Sequence, residues 1–398
     1  MRKWLASFVS LVVAVTLLAG TAFAGGQQVT LEVDGEAIAF ESHALFIDNG
    51  VTYAPQDELF AALELPLSRD EAEDESAASA FAAKTKDVDG IAYVPVRAVS
   101  EAIGFEVRWE ASTRTIVLVS GSGTESDEAG GRGFLWEVEH KGNKVFLLGS
   151  MHLADESFYP LNPAMEEAFE EAEYLGVEVD VSKGADPAVQ KLILSLGSYQ
   201  DGSTIKDHVA KETYDKLAAL LEENGIPGGS FDAFKPWVIE VTLQGMQASM
   251  SGMDGQVGID LYFITKAMER KLPIIELESF ESQLQMFDGF SDELQEASLN
   301  AAIDGFSEID DGLEAMAEMW KTGDEEALLE LTASVSENEE YNQAMLVDRN
   351  QAMTEKVVGY LNEEKPATYL IVVGAAHMLG ETGIVTALEE QGYTVTRR

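Results

Sequence analysis

Two of the five histidines in this 398-residue sequence stand in the same local setting. Lys144-Val-Phe-Leu-Leu-Gly-Ser-Met-His152 and Thr368-Tyr-Leu-Ile-Val-Val-Gly-Ala-Ala-His377 are each a short apolar run that reads as a buried strand, ends at a glycine and delivers a histidine three residues later. The other histidines, His43, His140 and His208, fall in polar or turn contexts and read as surface residues. Carboxylates follow two further apolar runs: Glu178 and Asp180 end Tyr174-Leu-Gly-Val-Glu-Val179, and Glu278 follows Leu277. In open α/β sheets ligands bind beyond the carboxyl ends of the strands, so four such ends can converge although they lie far apart in sequence. Two imidazoles and a carboxylate without thiols suit a divalent Mn, Co or Zn ion, which lowers the pKa of a bound water while a neighbouring Glu acts as ligand or general base.

Each acid also has a structural account. Asp180 and Glu278 fit the N-cap of a following helix, and Asp260, in Gly258-Ile-Asp260 ahead of the apolar face of Leu261, Ile264 and Met268, reads by default as a cap. Glu178 is harder to place that way, because it lies inside an apolar run where an unpaired carboxylate is costly to bury. Met345, Arg349, Met353, Val357 and Leu361 recur at four-residue steps, so Arg349 faces inward and requires a carboxylate partner or a ligand. No Gly-x-Ser-x-Gly elbow accompanies Ser150, and no Walker loop or dinucleotide fingerprint follows a strand.

The elements that must position these groups begin with a hairpin, Phe134 to Glu139 and Lys144 to Leu148. Pro160 to Glu173 follows as a helix, Tyr174 to Val179 as a strand, and helices occupy 185–271. Leu272 to Leu277 is a strand and acidic amphipathic helices fill 291–362. A strand at Tyr369 to Val373, a helix at Thr382 to Glu390 and a strand at Tyr393 to Thr396 close the chain. The expected class is α/β (α+β), a mixed central sheet flanked by helices.

Residues 28–120 carry a diverged repeat at a spacing of forty: Gly50, Tyr53 and Pro55 match Gly90, Tyr93 and Pro95. Each copy reads as strand, Pro-bounded turn and short helix, and the second adds a hairpin, Phe105 to Trp109 with Thr115 to Val119. Residues 121–132, rich in Gly, Ser and acids, read as a linker to a domain at 133–398.

At the start, Arg2 and Lys3, the apolar Leu5 to Leu18 and Ala22-Phe23-Ala24 read as a signal peptide cut after Ala24. They predict a secreted or cell-surface protein with no stable transmembrane span after cleavage. The absence of Cys excludes disulfides and thiolate ligands, and a formal charge of −45 argues against nucleic acid as a partner.

The phrase from Tyr93 to Trp109 resembles the copper amine oxidase N-terminal-like domain, although the segment shows no His cluster that would hold copper. Phe146-Leu-Leu-Gly-Ser-Met-His152, Gly258-Ile-Asp260, Leu277-Glu-Ser-Phe-Glu-Ser-Gln283, Asp348-Arg-Asn350 and Val373-Gly-Ala-Ala-His377 resemble the TraB/GumN family, related to the Tiki proteases. That resemblance implies a mixed sheet with helices and, in the Tiki branch, metal-dependent peptide cleavage. Carried onto this chain it makes His152 and His377 the motif histidines and Glu178 their acidic partner, with Glu278, Arg349, Asp180 and Asp260 in support. The expected function is a secreted metal-dependent hydrolase acting on a peptide or protein. Its rivals are a non-catalytic surface protein that sequesters a peptide or wall component, with the N-terminal domain as anchor, and hydrolysis of a non-peptide ester.

Overall fold

A computed structural model describes residues 29–40, 44–48, 51–63, 65, 85–88, 91–103, 105–110, 115–119, 132–306, 310–335 and 338–398. The expected signal peptide, nearly all of the linker, His43, Gly50 and Gly90 lie outside these residues.

The N-terminal region holds strands β1 (Thr30–Val33), β2 (Glu36–Ile38), β3 (Phe46–Asp48), β4 (Val51–Pro55), β5 (Lys86–Val88), β6 (Ile91–Pro95), β7 (Glu106–Glu110) and β8 (Thr115–Val119). They form two four-stranded sheets, ordered β2-β1-β8-β7 and β3-β4-β6-β5. Helices α1 (Gln56–Ala62) and α2 (Val96–Ala102) begin directly after Pro55 and Pro95, so strand, proline and helix recur forty residues apart. The two copies meet as an antiparallel pair, with Tyr53 opposite Pro95 and Pro55 opposite Tyr93. Leu59, Phe60, Val96 and Val99 bury the inner faces of the helices.

The second region is a mixed six-stranded sheet ordered β12-β11-β13-β10-β9-β14, where β9 is Phe134–His140, β10 Asn143–Ser150, β11 Tyr174–Val177, β12 Ile274–Glu276, β13 Thr368–Gly374 and β14 Val395–Arg397. Strands β12, β11, β13 and β10 run parallel, β9 pairs antiparallel with β10, and β14 pairs antiparallel with β9. Leu147, Leu148 and Leu370 to Val373 are fully buried, the near-continuous apolar runs that a strand covered on both faces demands.

Helices α3 (Pro163–Glu171), α4 (Pro187–Gly197), α5 (Lys211–Glu223), α6 (Pro236–Met250), α7 (Ile259–Arg270), α8 (Phe280–Asp288), α9 (Asp292–Asp304), α10 (Asp310–Thr322), α11 (Glu325–Val335), α12 (Glu339–Asn342), α13 (Asp348–Leu361) and α14 (Ile384–Glu390) fill the connections. α3 and α7 pack on β13, joined to each other by the rings of Phe169 and Phe263. The helix expected from Pro160 starts later, because the Asn162 side chain accepts the Ala164 N–H and Pro163 takes the first helical position. Met345, Arg349, Met353, Val357 and Leu361 are all buried, as their four-residue steps predicted, and the π-helical segment Gln343–Val347 precedes α13.

Candidate functional site

The parallel register of β10 and β13 sets Gly149 beside Val373 and Ser150 beside Gly374, so the two Gly-x-x-His segments leave the sheet side by side. β11 follows on the other side of β13 and releases Glu178 one residue past its end. Beyond it the Glu278 N–H donates to the Glu178 carbonyl at 2.7 Å. Gly374 marks the meeting point. A Cβ built there would lie 3.2 Å from Glu178 Oε1, 3.3 Å from His152 Nε2 and 3.5 Å from His377 Cδ2. Gly149 is crowded for another reason: a Cβ would press on Phe134 at 3.0 Å and on the Ala375 backbone at 3.1 Å.

Each imidazole is held through Nδ1 by an acceptor behind it. His152 Nδ1 lies 2.7 Å from Asp260 Oδ2, whose other oxygen accepts from Ser150 Oγ at 2.8 Å. His377 Nδ1 lies 2.6 Å from Asn350 Oδ1. Because both partners are oxygen acceptors, the proton belongs on Nδ1 and the Nε2 lone pair of each neutral ring is left to face the site. Burial works against protonation of His152, but the charge and hydrogen bond of Asp260 outweigh it and raise its pKa above the ordinary value. Burial and then the nearby Arg349 charge hold His377 down at about 4. His152 keeps 19% of its side chain open to solvent, whereas His377 keeps 3%.

Glu178 is almost fully buried and fully paired. Its Oε1 accepts the Gly374 N–H at 2.6 Å and stands 3.6 Å from His377 Nε2, and its Oε2 accepts from Arg349 Nη2 at 2.7 Å. Arg349 also grips Glu278, from Nε at 2.9 Å and from Nη2 at 2.7 Å, and Gln283 Nε2 donates to the same carboxylate at 2.8 Å. Burial alone would raise the Glu178 pKa, but Arg349, the two histidines and the Gly374 N–H together outweigh it and lower it to about 2. With both rings neutral, the formal charges of Glu178, Glu278, Asp260 and Arg349 leave two negative charges uncompensated. That surplus and two Nε2 lone pairs fit a divalent cation in charge and donor type. Among the described residues, no group of three or more His, Asp or Glu side chains is placed to hold a metal ion.

Asp260 departs from its default assignment. Gly258 is the N-cap of α7, and the Asp260 side chain, in the first turn, turns to His152 and Ser150 instead. Glu278 does not cap either, since Ser279 does so for α8. Asp180 does cap, accepting the Ser182 N–H at 3.2 Å. Its carboxylate otherwise meets Ser182 Oγ and Lys183, so the structure leaves it out of the cluster. Ser150 donates its proton to Asp260, an arrangement that does not prime it as a nucleophile for His152. His208 stacks on Tyr199 and His140 meets Tyr393 edge-on, both away from the site.

Asn350 went unassigned in the sequence, although Leu346, Asn350, Met353, Thr354 and Val357 follow the helical spacing that exposed Arg349. Trp320, whose indole N–H donates to the Gly149 carbonyl at 2.8 Å, carried no such signal.

A family model described as the TraB/PrgY/gumN family matches residues 134–397, and one described as the copper amine oxidase N-terminal domain matches residues 75–125. The protein called YbaP of Escherichia coli (strain K12), described as uncharacterized, is 25% identical over 255 residues, 63% of this chain and 91% of YbaP. A metalloprotease TIKI homolog of Amphimedon queenslandica is 37% identical over 49 residues, 12% of this chain and 10% of that protein. No solved structure matches.

Proposed function

Since the chain belongs to the TraB/PrgY/gumN family, we propose that it is a metal-dependent hydrolase that cleaves peptide bonds, with His152 and His377 binding the ion through Nε2 and Glu178 as the adjacent carboxylate. The observation that carries this reading is the convergence of Glu178 Oε1, His152 Nε2 and His377 on Gly374. The short match to a protein described as a metalloprotease supports the choice of reaction. A bound divalent ion would supply a water of lowered pKa and polarise the carbonyl under attack.

The protein's own groups prepare the place. Asp260 and Asn350 fix the ring orientations and keep Nε2 free. Arg349 and the Gly374 N–H hold Glu178 ionised and immobile, which makes it a poor proton acceptor at neutral pH and a good fixed anion, so we assign it as ligand rather than base. Glu278 anchors Arg349 from behind.

We further propose that the protein is exported, on the basis of the Arg2 to Ala24 pattern, and that its N-terminal region contacts a wall component. Among the described residues no helix is long and apolar enough to cross a membrane. The engagement of both Glu178 oxygens favours a second reading, in which a peptide is held without being cut. A peptide-library cleavage assay with Zn²⁺, Mn²⁺ or Co²⁺ and with chelator separates the two. Chelator-sensitive cleavage lost in His152→Ala and His377→Ala is expected; tight binding with intact peptides under every metal would leave the second.

A further inference from the structure

A largely apolar pocket opens beside the histidine pair. Its floor is the chain that follows β10 and β13, with His152 and His377 among the lining residues. Its wall comes from α10 and α11: Leu313, Met316, Met319, Trp320, Leu328 and Leu331. We propose that this pocket receives one apolar side chain of an extended peptide and sets which bond is presented to the histidines. This rests on the reading of the site as peptide-binding, and it adds a substrate class and the residues that select it.

Chemistry of the wall favours that occupant. Among the described residues no Asp, Glu, Lys or Arg lines the pocket, so an ionised group entering it would lose hydration without an ion pair on the wall. The indole N–H of Trp320 is already given to Gly149, which removes the polar handle of the largest wall residue. Met151, Met316 and Met319 bring unbranched thioethers that adjust to different shapes, so the wall accepts Leu, Met or Phe rather than one contour. Position supplies the rest. Gly374, on which both histidines and Glu178 converge, also lines the pocket, so a side chain seated there holds its own backbone against the candidate site.

Of the six wall residues Met316 alone is only partly buried, and it can be changed with little disturbance to the core. The test uses fluorescein-labelled, end-blocked octapeptides that differ only in a central Leu, Met, Asp or Lys. Binding to the full chain is read by fluorescence polarisation, with and without Zn²⁺. Leu and Met peptides are expected to bind about tenfold tighter or more than Asp and Lys peptides. Met316→Trp, which fills the pocket, and Met316→Asp, which charges it, should each shrink that gap. Equal affinity for all four peptides, no binding of any, or a gap indifferent to both Met316 variants overturns the proposal. So does competition by dodecanoate as strong as by the Leu peptide, which would assign the pocket to an acyl chain. Apolar preference without cleavage under any metal would sink the hydrolase reading and leave the pocket standing. Cleavage without side-chain preference would do the reverse.

Discussion

His152 and His377 occupy the same step of the same motif on neighbouring parallel strands, yet their surroundings differ. A carboxylate backs the first ring, which keeps some contact with solvent and has a raised pKa. An amide oxygen backs the second, which is sealed beside a guanidinium and holds a pKa of about 4. Strand register and a glycine therefore set where each ring stands, and burial and the charges around it set its electrostatic character: Asp260 at His152, burial with Arg349 at His377. Those charges are supplied from α7 for one and from α13 for the other.

The sharpest way to break this arrangement is to remove the charge that separates the two environments. Arg349→Ala leaves Glu178 and Glu278 buried without their cation and should cost about 3–5 kcal/mol in urea unfolding. A loss below about 1 kcal/mol would mean that the ion pair does not organise this end of the sheet. Gly374→Ala comes next: its methyl would sit among Glu178, His152 and His377, so metal affinity should fall with little loss of stability. Unchanged affinity would show that the three groups do not act at one point.

Exchanging the backing groups tests the contrast itself. In metal-free protein, Asp260→Asn should lower the His152 pKa and Asn350→Asp should raise that of His377, both read from ring-proton chemical shifts against pH. The sign for stability follows from linkage. A raised folded pKa at His152 gives stability that is present below the unfolded value near 6.5 and lost as pH rises through the folded value. The depressed value at His377 works oppositely: stability is lost as pH falls from about 6.5 toward about 4. Asp260→Asn should therefore cost most below pH 6.5. The mildest change is Trp320→Phe, which removes the donor to Gly149 and should cost about 1 kcal/mol while leaving the His377 titration in place.

Much of this end of the molecule was legible in the sequence, because buried parallel strands write themselves as continuous apolar runs. Apolar periodicity also exposed Arg349 as an inward charge that needs an acid. Where each acid points was not legible, because capping and ligand support use the same residue types. Asp180, Asp260 and Glu278 all sit close to the start of a helical segment, and only tertiary packing decided that Asp180 caps while the others turn to His152 and Arg349. Asn350 escaped notice because an uncharged polar residue on an apolar face makes a weaker demand than a guanidinium.

On the proposed reading the two rings hold one divalent ion together. Titration calorimetry of chelator-treated protein with Zn²⁺ tests it most directly. One equivalent should bind to the wild-type chain, and His152→Ala and His377→Ala should each weaken it by at least about tenfold, the scale of a single lost support. Binding of undiminished strength in both variants, or none in the wild type, would contradict the account.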